Sequence, residues 1–175
     1  DSRILKLAEE NARLLTSVFT PTSLVYTTTY RQFNYLISFM ERFIAKEEKT
    51  DFEAKVSEYL QEFVDKMKEL PYYDPTLNAN EKSRNLSIFA DTTVEEYFGD
   101  VYATSYKASF AEFAQAQRHR TISYNIKVLD DEYYVPKIIA DSKDYTELWI
   151  SDIKSLGNTY PQAQLCMVNE MGTMD

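Results

Sequence analysis

The chain has 175 residues, with 19 Lys and Arg against 28 Asp and Glu and a net charge of −9. That length suits one domain, or one and a half, and a hydrophobic share of 44% is enough for a core. No run of about 18 apolar residues occurs, so no membrane span is expected, and the acidic balance argues against a broad nucleic-acid footprint, which needs a basic face. The opening DSRILKLAEE is amphipathic and charged, unlike a signal peptide. The single cysteine, Cys166, excludes an intrachain disulfide and fits a reducing compartment such as the cytoplasm. Along the chain, Ile4, Leu7, Ala8, Ala12 and Leu15 fall at helical spacing and predict a short helix over 3–18, ended by Pro21. TSLVYTTTY, residues 22–30, is β-branched and aromatic and predicts a strand. Phe33, Leu36, Ile37, Met40, Phe43 and Ile44 make one helical stripe, and Phe52, Val56, Tyr59, Leu60, Phe63, Val64 and Met67 make another. Thr50 to Glu53 reads as a capping box that restarts the helix. Pro71 closes this block, and a polar connector runs over 71–85.

A second block begins near Leu86, with Thr92 or Thr93 as the cap of a short helix. VYATSYK, 101–107, predicts a strand; Ser109 and Glu112 predict a second capping box opening a helix through Gln117. ISYNIKV, 122–128, predicts another strand, and DYTELWISDIKSL, 144–156, an amphipathic helix ended by Gly157. The tail YPQAQLCMVNEMGTMD carries no clear stop signal. Strands alternating with helices imply an α/β or α+β architecture.

The only histidine stands in Arg118–His119–Arg120, at the end of a predicted helix and before a predicted strand. Two guanidiniums can fork onto phosphate oxygens while the imidazole donates one more hydrogen bond, and a strand–helix–strand setting puts such a trio near a sheet end, where ligands commonly bind. The competing reading is a solvated helix C-terminus whose cations complement the dipole. One His and one Cys, far apart, make a zinc site improbable. The chain has no G-x-S-x-G elbow, no G-x-G-x-x-G and no P-loop. Asp130, Asp131 and Glu132 read as a solvated turn ahead of a cation site, the tyrosine-rich strands as core, and Cys166 as a small apolar residue.

The stretch QAQRHRTISYN resembles the signature of the flavin-dependent thymidylate synthases, the ThyX family, in which R-H-R is followed by T-x-S-x-N-E-x-S-x-R-Y. Arg118, His119, Arg120, Thr121, Ser123 and Asn125 match it, and Gln115 stands where the family has a glutamine. DTTVEEY echoes the family's H-x-T-x-x-E-H through Thr93 and Glu96. Ala12 and Arg13, then Thr22 and Arg31, resemble the later A-R…T…N-A-R segment, and the helix from Gln32 follows as in the family. The order of the two segments is reversed, and the tail, with Ala163 and Gln164, resembles the start of another copy of the later one. A piece of a tandem-duplicated synthase, or a circular permutation, accounts for this. Residues 1–75 then resemble the C-terminal half of a unit, 86–157 the N-terminal half, and 158–175 the start of another C-terminal half.

The resemblance implies a ThyX-like sheet flanked by long helices, and an enzyme that methylates dUMP with methylenetetrahydrofolate, using FAD as cofactor and NADPH as reductant. It implies a homotetramer, or assembly with a companion ThyX domain. It places Arg118, His119, Arg120, Asn125, Arg31 and Thr93 on FAD, and Gln115 and Arg13 on dUMP. This chain departs from the family at Ile126, Val128, Asp130 and Asp131, and at Met40, where an arginine would polarise the uracil. A non-catalytic repeat that scaffolds an active partner domain is therefore the alternative, and an unrelated flavin or nucleotide binder a third.

Overall fold

A computed structural model describes residues 2–77, 101–119 and 122–173. The helix cap predicted at Thr92 or Thr93 lies outside them. Contacts divide the chain into two compact units. One joins Asp1–Pro21 to Leu86–Asp175, and the other is Thr22–Asn85.

The second unit is helical. Helix α2 (Tyr30–Ile44) and helix α3 (Asp51–Lys68) pack together, burying Ile37, Phe52 and Val64 of the predicted stripes together with Tyr35, which lies outside them, while Tyr59 and Phe63 of the second stripe are exposed. The predicted capping box is present: Thr50 Oγ1 accepts from the Glu53 amide at 3.2 Å, and the Thr50 amide donates to Glu53 Oε2 at 2.8 Å. Asn34 is fully buried and makes three hydrogen bonds. It donates to the carbonyls of Tyr30 (2.8 Å) and Tyr72 (3.0 Å) and accepts from the Asp74 amide at 2.7 Å, pinning the connector to α2.

The strand predicted over 22–30 does not form. Residues 22–29 run outside any helix or strand and are exposed, Val25 at 97%, and Tyr30 already begins α2. A β-branched run becomes a strand only where a neighbouring strand takes up its backbone, and the described part of this unit has no strand. Thr29 is recruited instead as the cap of α2, its hydroxyl accepting from the Gln32 amide at 3.2 Å.

The other unit is built on a sheet of strands β1 (Val101–Ser109), β2 (Ser123–Tyr133) and β3 (Gln164–Thr173), in the order β1-β3-β2. Both pairings are antiparallel, so the architecture is α+β and the α/β alternative is corrected. The central strand β3 is the tail in which the sequence shows no stop. Its identity comes from partners on both sides. Strands β1 and β2 run parallel to one another with β3 between them, a split β-α-β arrangement. Helix α4 (Phe110–Ala116) makes the crossover, and the Ser109 hydroxyl accepts from the Glu112 amide at its start.

Helix α1 (Ser2–Ala12) and a 3-10 turn (Arg13–Leu15) replace the single predicted helix. The strap that follows binds the start of β3: the Ala163 amide donates to the Leu14 carbonyl and the Gln162 amide to the Thr16 carbonyl, each at 2.9 Å, and the Val18 amide donates to the Tyr160 carbonyl, also at 2.9 Å. After the short helix α5 (Lys137–Ala140), helix α6 (Lys143–Ser155) is stopped by Gly157 at φ 64°, as its sequence predicts. Leu14, Trp149, Ile153 and Ala163 form a buried cluster. The Trp149 indole is satisfied by the Tyr134 carbonyl at 3.0 Å.

Candidate functional site: the turn after helix α4

Alternation along β2 and β3 sorts the sheet's two faces. Tyr124 lies opposite Glu170, Ile126 opposite Val168 and Val128 opposite Cys166, and these side chains share one face with Tyr102, Tyr106 and Ala108 of β1. Helix α4 covers part of that face. The Phe113 ring meets Tyr124 edge-on at 5.4 Å, and both are buried.

The chain leaves α4 through a tight turn. The Arg118 amide donates to the Gln115 carbonyl at 3.2 Å, the His119 amide to the Ala116 carbonyl at 3.0 Å, and the Ile122 amide to the His119 carbonyl at 3.2 Å. The turn thus has a bonded backbone, while the side chains of Arg118 and His119 are exposed. Among the described residues, neither side chain holds a hydrogen bond or ion pair. Elsewhere Lys46, Lys66, Lys68, Lys107, Lys143 and Lys154 each engage a carboxylate. Gln115, also exposed, sits three residues before Arg118 and so on the same side of the helix end.

The other expected site residues are distributed differently. Arg120 and Thr93 lie outside the described residues. Asn125 follows Tyr124 and faces the opposite side of the sheet, exposed, across from Asn169. Arg13 is exposed at the 3-10 turn, beside the start of β3, whereas β2 begins opposite Met171, near the other end of that strand. Roughly 20 Å of strand separates those two ends. Arg31 is exposed on α2, in the other compact unit. Gln115, Arg118 and His119 therefore come together, and Asn125 and Arg13 do not join them within the described chain. The turn stands at the N-terminal end of β2, at a sheet end as the strand–helix–strand setting implies, although this sheet has no adjacent parallel pair.

Asp130 and Asp131 fall in an irregularity between Val128 and Tyr133, at the far end of β2 from the turn. Asp131 adopts φ 58° and pairs with Lys154 at 3.5 Å, while Glu132 pairs with Lys107. No cluster of metal-binding side chains occurs among the described residues. Cys166 is fully buried, and burial pushes its thiol up to about 12, so it packs as the small apolar residue the sequence suggests.

Sequence reasoning missed a cluster on the same face and at the same sheet end as the turn. Glu170 accepts from the Tyr102 hydroxyl through one oxygen and from the Tyr106 hydroxyl through the other, both at 2.7 Å. The bond to Glu170 and burial push the Tyr102 phenol up to about 12, and burial and the same carboxylate raise Tyr106 as well. The Tyr102 ring lies over Gly172, where an added Cβ would come within 3.1 Å of the ring. The i, i+4 spacing of Tyr102 and Tyr106 along a predicted strand was the available signal; the missing half was Glu170, on an unpredicted strand.

Comparison of the chain with protein-family models, with curated proteins and with solved structures finds no match. No described helix is long and apolar enough to cross a membrane.

Proposed function

We propose that this chain is a flavin-binding, thymidylate-synthase-like domain whose R-H-R turn grips phosphate oxygens of FAD. One observation carries the reading. An acidic protein that engages many of its lysines in carboxylate pairs leaves Arg118 and His119 exposed and uncommitted on a hydrogen-bonded turn. Guanidinium and imidazole N–H groups match the anionic oxygens of a pyrophosphate in charge and donor geometry. The aspartates that replace the family's Arg-Tyr pair sit at the opposite end of β2, roughly 20 Å along the strand, and do not repel an anion at the turn.

In this reading Gln115 and Arg13 serve dUMP, and Arg31, Asn125 and Thr93 complete the flavin site together with Arg120. Because Arg13 and Asn125 lie away from the turn, the full site draws on another copy or a companion ThyX domain, as a homotetramer does. FAD, when bound, supplies hydride relayed from NADPH, with methylenetetrahydrofolate as the carbon donor; the protein's part is to bind and orient. A cytoplasmic location belongs to the same reading. Met40, in place of the arginine that polarises uracil, favours the second reading, a non-catalytic repeat that scaffolds an active ThyX domain.

Titrating the purified protein with FAD and following flavin fluorescence tests the proposal. Saturable quenching is expected, and Arg118→Ala with Arg120→Ala is expected to weaken it by on the order of a hundredfold, the value of two charge-assisted hydrogen bonds. Wild-type protein that leaves FAD fluorescence unchanged would overturn the proposal. Dependence of NADPH oxidation on dUMP separates the enzyme from the scaffold.

A further inference from the structure

The turn that carries Arg118 and His119 follows a helix of only 7 residues, too short to hold a fixed direction by its own hydrogen bonds. Something else has to aim it. The Ala116 carbonyl, at the last position of α4, accepts twice: from the His119 amide at 3.0 Å and from the Tyr124 hydroxyl at 2.9 Å. Tyr124 itself is 1% exposed, held edge-on against Phe113, and anchored in the β2–β3 ladder opposite Glu170. One side chain thus ties the helix end, the turn and the central strand to a single point.

We propose that Tyr124 is the positioning residue of the anion-binding turn, fixing Arg118 and His119 through the Ala116 carbonyl. The inference rests on the reading of that turn as a phosphate grip and adds the residue that aims it. Burial, and the Glu170 charge beside it, hold the Tyr124 phenol above its ordinary range, so the hydroxyl stays a donor well past neutral pH. A preorganised donor set spends less of its binding energy on ordering. Loss of the hydroxyl should therefore cost affinity even with the fold intact.

Tyr124→Phe keeps the ring and its contact with Phe113 and removes only the bond to Ala116. Two measurements on the full chain decide the matter: hydrogen exchange at the His119 amide, and the FAD dissociation constant from flavin quenching. In the variant, exchange at His119 is expected to quicken and FAD binding to weaken by roughly fivefold each, the factor one neutral hydrogen bond is worth, with amides of the β1–β3 ladder unchanged. Tyr106→Phe, which removes a phenol bonded to Glu170 instead of to α4, is expected to leave both quantities at wild-type values. Unaltered His119 exchange in Tyr124→Phe overturns the proposal. So does quickened exchange with undiminished FAD binding, or an equal loss in Tyr106→Phe. If the wild-type protein binds no FAD, the phosphate-grip reading falls and the positioning role in binding falls with it; the exchange data then show only whether Tyr124 holds the turn.

Discussion

Glu170 accepts a phenol on each of its oxygens, which makes the sheet depend on two tyrosines staying protonated. An ordinary tyrosine loses its proton near 10.0, whereas Tyr102 in the fold does so near 12. Between those values the folded chain keeps a proton that the unfolded chain has released. Stability therefore falls as pH rises from 10 toward 12, and below 10 the contribution is intact. Chemical denaturation followed from pH 8 to 11.5 should show this loss, and Tyr102→Phe should lessen it, Tyr106 still contributing. The same phenol crowds position 172. A methyl there would press on a ring that the bond to Glu170 prevents from swinging away.

Helices announce themselves through their ends. The capping box at Thr50 and Glu53, the Ser109 cap of α4 and the glycine stop of α6 can all be read locally, because a cap joins residues three or four apart. The helix start at Ser109, and its end near Gln117, could be read in the same way. Strands were harder. Residues 22–29 have every local preference for a strand and no strand partner among the described residues, whereas Gln164–Thr173 mixes Gln, Met and Glu and becomes the centre of the sheet. Pairing lies outside any short window, so Glu170 and its tyrosines could not be found from it. Asn34 was hidden likewise: an amide amid a helical stripe gives no hint that it clamps a connector 38 and 40 residues away. Asn34→Ala would leave the Asp74 amide and the Tyr72 carbonyl unsatisfied. A loss of about 2–3 kcal/mol is expected for the helical unit, measured by urea denaturation with helical circular dichroism.

At the scale of the whole molecule, the sheet unit is assembled from both ends of the sequence, with the helical unit's residues between them. The Ser17 hydroxyl reaches the Thr159 carbonyl across 142 residues, and Leu14 completes the cluster of Trp149, Ile153 and Ala163. Contacts so distant in sequence form late and slowly in folding. Once formed, they make the covalent route between strap and sheet dispensable. The bare stretch at 22–29, with Leu24 77% and Val25 97% exposed, is open to a protease. A singly nicked molecule should still elute as one species under native conditions and separate into two peptides only in denaturant. Separate elution after a native cut would show that the strap is not held by the sheet. By the same logic, the two pieces made apart should recombine, so the strap behaves as a detachable peptide that the rest of the protein already knows how to bind.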